Sequence, residues 1–196
     1  MDSIKRFFLQ MEQITNWQKL VTKCLLLIIC LFIVSVQPAL AGIKDDLYDG
    51  NIFVVYAGNG SLVPPKESLA KALKDHKPTF LAFYLDDSRD CKEYAITISQ
   101  VQEFYGRVAE IMPINVDTIP PKDSFDPTEP GYYYSGVVPQ VVVFDASGKV
   151  VLNQQGQVPF AQIDDKFRDI YHLVARDKSI ELKRRSFNEF SSELSQ

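Results

Sequence analysis

Cysteine and histidine are scarce in this 196-residue sequence. The cysteines are Cys24, Cys30 and Cys91, and the histidines are His76 and His172. The first two cysteines lie in an apolar N-terminal run, so a domain without that run would have one thiol and no internal disulfide. One cysteine and two isolated histidines provide no ligand set for zinc or a similar metal. We therefore expect neither a metal nor another cofactor.

Positive charge is also in deficit, with 21 basic against 25 acidic residues and a net charge of −4. Residues 1–41 have four basic and two acidic side chains, so the remainder of the chain is more acidic still. Nucleic acids are bound mainly through basic side chains, so we expect no nucleic-acid partner. Hydrophobic residues make up 46% and aromatic residues 12%, which is typical of a packed globular domain.

Residues 24–36 form an uncharged apolar run of 13 residues. This run is too short for a typical transmembrane helix, which needs about 20 residues. Lys19 and Lys23 precede it and Ala39-Leu40-Ala41 follows it. A basic region, an apolar region and a small-residue cleavage site occur in this order in secretory signal peptides. The sequence therefore predicts that residues 1–41 are a signal peptide or, if uncleaved, a membrane anchor. In either case the rest of the chain is exported.

Strand and helix patterns alternate along residues 42–180, and a charged tail follows at 181–196. Period-two and helical spacings of apolar residues distinguish the two kinds of element. They predict a single α/β domain with a mixed central sheet flanked by helices. The predicted strands are 51–56, 79–85, 111–117, 137–144 and 149–152, the predicted helices are 66–76, 90–105 and 160–175, and residues 118–135 are predicted to be irregular.

The segment after the predicted strand 79–85 is the most informative part of the sequence. A strand, a short loop and a helix that starts at a cysteine form the layout of the redox motif in thioredoxin-like folds. That motif has two cysteines separated by two residues, whereas here Ser88 stands in the first position and Cys91 in the second. Dithiol exchange needs both sulfurs. Pro139 stands where these folds have a cis-proline, so we predict a cis Val138–Pro139 bond.

The reactivity of Cys91 has two interpretations. A helix N-terminus and the neighbouring cations Arg89 and Lys92 would lower the thiol pKa. Three nearby aspartates would raise it, and a lone cysteine in the second position is commonly a buried, inert residue. We expect Ser88 to act as the N-cap of the helix rather than as a nucleophile.

Three consecutive tyrosines, Tyr132, Tyr133 and Tyr134, are the candidate residues for binding a partner. Tyrosine is enriched at protein interfaces because it combines a large apolar ring with a hydroxyl. The equally weighted alternative is that the segment covers the sheet, with one or two of the rings in the core.

Several sequence blocks resemble a particular group within the thioredoxin-like superfamily, the thylakoid membrane photosystem I accumulation factor family of cyanobacteria. The most specific blocks are Asp86-Asp-Ser-Arg-Asp-Cys-Lys92 and Asp126-Pro-Thr-Glu-Pro-Gly-Tyr-Tyr-Tyr134. Further similar blocks are Tyr48–Phe53, Tyr56–Pro65, Gly136–Gln140 and Glu181–Phe190.

The resemblance implies a thylakoid-associated protein that photosystem I needs in order to accumulate. It supplies no established catalytic residues, and the wider superfamily maps its active-site position onto Ser88 and Cys91 and its cis-proline onto Pro139. The tryptophan that usually precedes the redox motif is Asp87 here, which further weakens an oxidoreductase interpretation.

These observations favour a non-catalytic factor that binds a protein partner, such as a photosystem I subunit or an assembly intermediate. Its expected location is the thylakoid membrane or lumen, with the periplasm as the alternative. A second hypothesis is a monothiol redox protein that forms mixed disulfides through Cys91. A third is a degenerate peptide-binding chaperone that uses the groove beside Pro139.

Overall fold

The computed structural model describes residues 17–19, 21–32 and 42–179. The predicted cleavage site at residues 39–41 and the charged tail at 181–196 therefore lie outside the described residues.

The chain divides into two units, Met1–Leu40 and Ala41–Gln196. In the first unit, residues 17–19 and 21–32 are helical. Within the part of the chain that the structure describes, no helix is both long enough and apolar enough to cross a bilayer.

The second unit contains a mixed sheet of four strands in the spatial order β2-β1-β3-β4. The central strand β1 pairs in parallel with β2 and antiparallel with β3, and β3 pairs antiparallel with β4. In this register Leu81 lies between Met112 and Val142. The strands are β1 Thr79–Tyr84, β2 Glu110–Asn115, β3 Gln140–Phe144 and β4 Val150–Gln155.

Four α-helices and several short 3-10 turns surround the sheet in the described residues. The helices are α1 Ile52–Val55, α2 Leu69–Lys74, α3 Arg89–Tyr105 and α4 Phe160–Ile170. The 3-10 turns are Gly60–Leu62, Val116–Thr118, Pro130–Tyr132 and Arg176–Lys178.

The sheet has a core on each face because neighbouring side chains of a strand point to opposite sides. Phe80, Ala82 and Tyr84 of β1 belong to the core cluster that α1, α3 and α4 cover. Leu81 and Phe83 belong to the cluster on the other face, which α2 and the irregular segment cover. All six residues of β1 are buried, as expected of a strand with two covered faces.

The predicted first strand at 51–56 is wrong, because these residues form the short helix α1. Ile-Phe-Val-Val has the β-branched and aromatic composition of a strand, but side-chain contacts start a helix instead. The Asn51 side chain accepts a hydrogen bond from the Phe53 N–H, and the Asp86 carboxylate accepts one from the Ile52 N–H at 3.0 Å. Ile52 and Phe53 are fully buried in the resulting turn.

The last predicted helix is also shorter than expected, since α4 ends at Ile170 rather than near residue 175. His172 has a positive φ of 53°, and the Leu173 N–H turns back to the Arg168 carbonyl oxygen at 2.9 Å. A left-handed residue ends a helix in this way. The other predicted elements match the observed ones apart from their ends, and 118–135 is irregular apart from the end of the 3-10 turn Val116–Thr118 and the 3-10 turn Pro130–Tyr132.

Candidate functional site

The first turn of α3 occupies the position of the predicted redox motif. Ser88 is its N-cap, as predicted: the Ser88 Oγ accepts a hydrogen bond from the Cys91 N–H at 3.3 Å. Asp46, from the polar segment before α1, accepts a second bond from the Arg89 N–H at 2.9 Å. A helix N-terminus stabilises an anion through its free amides. Here side chains of the protein already occupy two of those amides.

The thiol of Cys91 is buried, with 1% of the residue exposed. Burial raises the thiol pKa above its ordinary value, and the negative charges of Asp90 and Asp87 raise it further against the opposing hydrogen bond from Ser88. A thiol in these surroundings is protonated at neutral pH and inaccessible to a disulfide. The geometry therefore favours the inert interpretation of Cys91.

Lys92 does not act on the thiol as the sequence suggested, because its side chain is fully buried against residues 42–49. Its ammonium donates to the Asp49 carboxylate at 2.7 Å and to the Asp45 carboxylate at 3.2 Å. The carbonyl oxygens of Gly42, Asp45 and Leu47 complete the shell. We refer to Lys92 and residues 42–49 together as the lysine clasp.

The charges in the lysine clasp stabilise one another. Burial alone would lower the pKa of Lys92, but hydrogen bonds to Asp49 and Asp45 raise it above its ordinary value. The Lys92 ammonium, followed by the Tyr56 hydroxyl, holds the pKa of the Asp49 carboxyl below its usual range. Both groups are therefore ionised at neutral pH, and residues 42–49 are fixed next to the first turn of α3.

Asp86 has a structural role at the end of β1. Its carboxylate accepts hydrogen bonds from the Ile52 N–H at 3.0 Å and from the Asn115 side-chain amide at 2.9 Å. Burial raises the pKa of this carboxyl. Asp86 thus joins the start of α1 to the end of β2.

The three tyrosines lie in a loop of residues 130–139, which we call the tyrosine loop. Tyr133 packs edge-on against Phe144, with ring centroids 4.8 Å apart, and Tyr134 packs against Phe83 at 5.4 Å. Tyr132 is 55% exposed. The two interpretations of this segment therefore apply to different residues: Tyr133 and Tyr134 cover the sheet, and Tyr132 presents its ring to solvent.

The side chain of Gln140 fixes the shape of the tyrosine loop. Gln140 is fully buried, and its amide oxygen accepts hydrogen bonds from the Ser135 N–H and hydroxyl, both at 2.9 Å. Its NH₂ group donates to the Tyr133 carbonyl oxygen and to the Asn153 side chain, each at 2.8 Å. All the polar capacity of a buried amide is thereby used within the loop and the neighbouring strand. Sequence reasoning did not identify this residue, whose only signal is an amide within a run of valines.

The Val138–Pro139 peptide bond at the end of the tyrosine loop is cis. Val138 packs against both core clusters, the one that contains Cys91 and the one that contains Tyr133 and Tyr134 as partly buried neighbours. The candidate residues of the sequence thus lie on opposite faces of the sheet, and Val138 lies between them. Among the described residues, no group of three potential metal ligands occurs.

A mixed sheet flanked by helices, with Cys91 in the first turn of the helix that follows the central strand, defines the class of protein as thioredoxin-like. Residues 65–171 match the thioredoxin-like domain family, and the chain belongs to that family.

One curated relative is similar to this chain over most of its length. The chain is 56% identical over 156 residues to the thylakoid membrane protein slr1796 of Synechocystis sp., a match that covers 80% of this chain and 78% of the relative.

Solved thioredoxin structures also match, at lower similarity. The germline-specific thioredoxin Deadhead of Drosophila melanogaster is 19% identical, with a TM-score of 0.40, over 51% of this chain and 86% of that one. A mutant thioredoxin of Halobacterium salinarum is 21% identical, with a TM-score of 0.42, over 54% of this chain and 85% of that one.

Proposed function

We propose that this protein is a non-catalytic thioredoxin-like factor that supports photosystem I accumulation at the thylakoid by binding a partner protein. The observation that supports a non-catalytic role is the state of the motif: a hydroxyl in the first position and a buried thiol in the second. Disulfide exchange proceeds by attack of an accessible thiolate and resolution by a second thiol. This domain offers neither.

The thylakoid and photosystem I parts of the proposal have separate support. A relative with 56% identity is named as a thylakoid membrane protein. The blocks Asp86–Lys92 and Asp126–Tyr134 resemble the photosystem I accumulation factor family. The first block contains the first turn of α3, and the second contains the start of the tyrosine loop. These two parts lie on opposite faces of the sheet.

The tyrosine loop is the partner-binding surface in this proposal. Tyr132 is 55% exposed and Val137 is 45% exposed, so two large apolar side chains of one loop face solvent. The buried amide of Gln140 holds the loop in a single shape, and a preformed surface loses less conformational entropy on binding. Aromatic side chains on rigid supports commonly dominate binding energy.

Thiol labelling tests the non-catalytic role in a Cys24→Ser/Cys30→Ser background. We expect iodoacetamide to label Cys91 at neutral pH only after unfolding in urea, because the folded thiol is buried and protonated. A Ser88→Cys/Cys91→Ser variant is the matched control, since its single thiol at that half-buried position should be labelled in the folded protein. Labelling of Cys91 in the folded protein at the rate of a free thiol would support the monothiol alternative instead.

Accumulation of photosystem I in the native host tests the role itself. A Cys91→Ser strain should contain wild-type amounts of photosystem I subunits on immunoblots, whereas a deletion strain should not. If Cys91→Ser reproduces the deletion phenotype while the protein remains folded and abundant, the monothiol function replaces the binding function.

Affinity purification from the thylakoid fraction tests the binding surface. We expect enrichment of photosystem I subunits with the wild-type protein and loss of that enrichment with Tyr132→Ala. Ile96→Ala is the control, because Ile96 is an exposed apolar residue of α3, at 53% exposure, outside the tyrosine loop. Equal enrichment with both variants would place the binding surface elsewhere.

A further inference from the structure

A cleft of about 900 Å³ lies between the end of α3, the helix α4 and the segment after it. The apolar residues of its lining, which we call the cleft floor, include Phe104 and Phe160, whose ring centroids are 5.3 Å apart, together with Leu173. Phe104 and Leu173 are each 52% exposed. Large apolar side chains grouped in a concave site are a common feature of docking surfaces.

The chain itself forms one wall of this cleft. Two arginines hold the segment after α4 in place: Arg168 donates to the Val174 carbonyl oxygen at 2.8 Å, and Arg176 donates to the Ala161 carbonyl oxygen. Ser179, the last residue that the structure describes, lines the cleft. The chain therefore continues into residue 180 from the wall of the cleft, since consecutive Cα atoms are about 3.8 Å apart.

The charged residues that line the cleft have an excess of negative charge, with four aspartates and two arginines. The Asp164 and Asp165 carboxylates are paired with Arg168 and Arg176. Asp169 and Asp177 also line the cleft. Neither carboxylate forms an ion pair with a residue in the described ranges. Two carboxylates that line the cleft are thus available to a cationic segment.

The sequence after residue 179 has the complementary composition. Lys183-Arg184-Arg185 is a run of three cations, and Phe187 and Phe190 follow it at a spacing of three, with Leu194 four residues further on. Apolar residues at this spacing would share one face if the segment were helical.

We propose that residues 180–190 of this chain fold back into the cleft. Phe187 and Phe190 pack on the floor formed by Phe104 and Leu173, and the basic run faces Asp169 and Asp177. Eleven residues span about 36 Å when extended and about 16 Å as a helix, so the segment is long enough to reach across the cleft in either form. The C-terminal tail thereby becomes a part of the thioredoxin-like domain rather than an appendage.

Chymotrypsin cleavage of the full chain after Phe187 and Phe190, followed by mass spectrometry, tests the charge part of this proposal. Cleavage of a docked segment requires it to open first, so the rate follows the opening equilibrium. We expect Asp169→Lys/Asp177→Lys to speed cleavage about tenfold, which corresponds to about 1.4 kcal/mol. Adding Lys183→Glu/Arg184→Glu/Arg185→Glu should restore the slow rate. Asp123→Lys, at an exposed carboxylate outside the cleft, should leave the rate unchanged.

The apolar part has a closely matched pair of variants. Leu173→Asp places a charge on the cleft floor and should speed cleavage, whereas Val174→Asp, at a neighbouring residue that is 59% exposed and does not line the cleft, should not. Unchanged thermal unfolding of the domain in both variants shows that they remain folded.

Three results would overturn the proposal. The first is equal cleavage rates in all variants, which would mean that the tail is undocked. The second is protection that rises with protein concentration, which would mean that the tail docks on a second copy. The third is protection that appears only with vesicles containing anionic lipid, which would mean that the basic run binds a membrane surface.

Discussion

The two faces of the central sheet are covered by different means. One face packs against α1, the 17-residue α3 and the 11-residue α4. The other packs against the six-residue α2 and against rings from an irregular segment, Tyr133 and Tyr134. Helical periodicity decides which residues of the first face are buried. On the second face the loop must supply the cover, and the same loop leaves Tyr132 exposed. Binding functions are commonly found on such loops over a rigid scaffold.

The largest effect should come from opening the helical face. Phe167 of α4 is fully buried and stacks on Tyr105 with centroids 4.4 Å apart. We expect Phe167→Ala to lower the free energy of unfolding by about 3–5 kcal/mol, because a large cavity remains. Urea denaturation measures this. Ile96→Ala on the exposed side of α3 is the control and should cost less than about 0.5 kcal/mol. A loss under about 1 kcal/mol for Phe167→Ala would show that this face is loosely packed.

The second effect concerns the lysine clasp on the same side of the molecule. Lys92→Met removes the ammonium from five oxygen acceptors, so we expect a lower unfolding midpoint and faster amide hydrogen exchange in residues 42–49. The loss should be smaller than for Phe167→Ala, since the segment and its carboxylates can move into solvent. Lys71→Met removes an ion-paired lysine that is 56% exposed, and it should have little effect. Unchanged exchange in residues 42–49 would contradict the role of Lys92.

Acid should weaken the lysine clasp in a predictable direction. The Lys92 ammonium, with the Tyr56 hydroxyl, lowers the pKa of Asp49 in the folded protein. Its stabilising contribution is therefore complete above the unfolded pKa of about 3.9 and is lost as the pH falls through the folded value. The stability of the wild type should thus fall more steeply below about pH 4 than that of Asp49→Asn. Parallel curves in urea denaturation at several pH values would argue against this assignment.

The smallest losses of stability should come from the face of the sheet that the tyrosine loop covers. They should differ between the adjacent residues Tyr133 and Tyr132. Tyr133 contacts Phe144 and donates its hydroxyl to the Pro127 carbonyl oxygen at 2.8 Å. Tyr133→Ala should therefore cost about 1–3 kcal/mol of unfolding free energy. Tyr132→Ala should cost less than about 0.5 kcal/mol, since its ring is exposed. The reverse order would mean that Tyr132, rather than Tyr133, holds the tyrosine loop on the sheet.

Elements defined by local sequence could be predicted. The apolar run of β1 begins after Pro78, and that of β3 ends at Asp145, so the boundaries are marked in the sequence itself. The serine cap of α3 was predictable for the same reason, because Ser88 lies immediately before the helix it caps. The helix α1 was not, since its start depends on the Asp86 carboxylate, 34 residues away along the chain.

The candidate site was harder to predict than the fold. Adjacency in sequence assigned Lys92 to Cys91, whereas its actual partners lie 43–50 residues earlier in the chain. Side chains of consecutive helical residues point in different directions, about 100° apart. Neighbouring residues of α3 therefore contact different parts of the molecule. The structural role of Gln140 could not be predicted either. Most of its hydrogen-bond partners lie in the tyrosine loop, whose conformation the sequence does not indicate.

The lysine clasp also determines how the domain would respond to a mechanical pull at its N-terminal end. Gly42, Asp45 and Leu47 present their carbonyl oxygens to a single ammonium on the first turn of α3. If residues 42–49 detach from the domain in sequence, each of these three hydrogen bonds to Lys92 must break in turn, so the force acts on the same side chain each time. A force applied at residue 42 would pass through Lys92 into α3, next to the buried Cys91, before it reached the sheet.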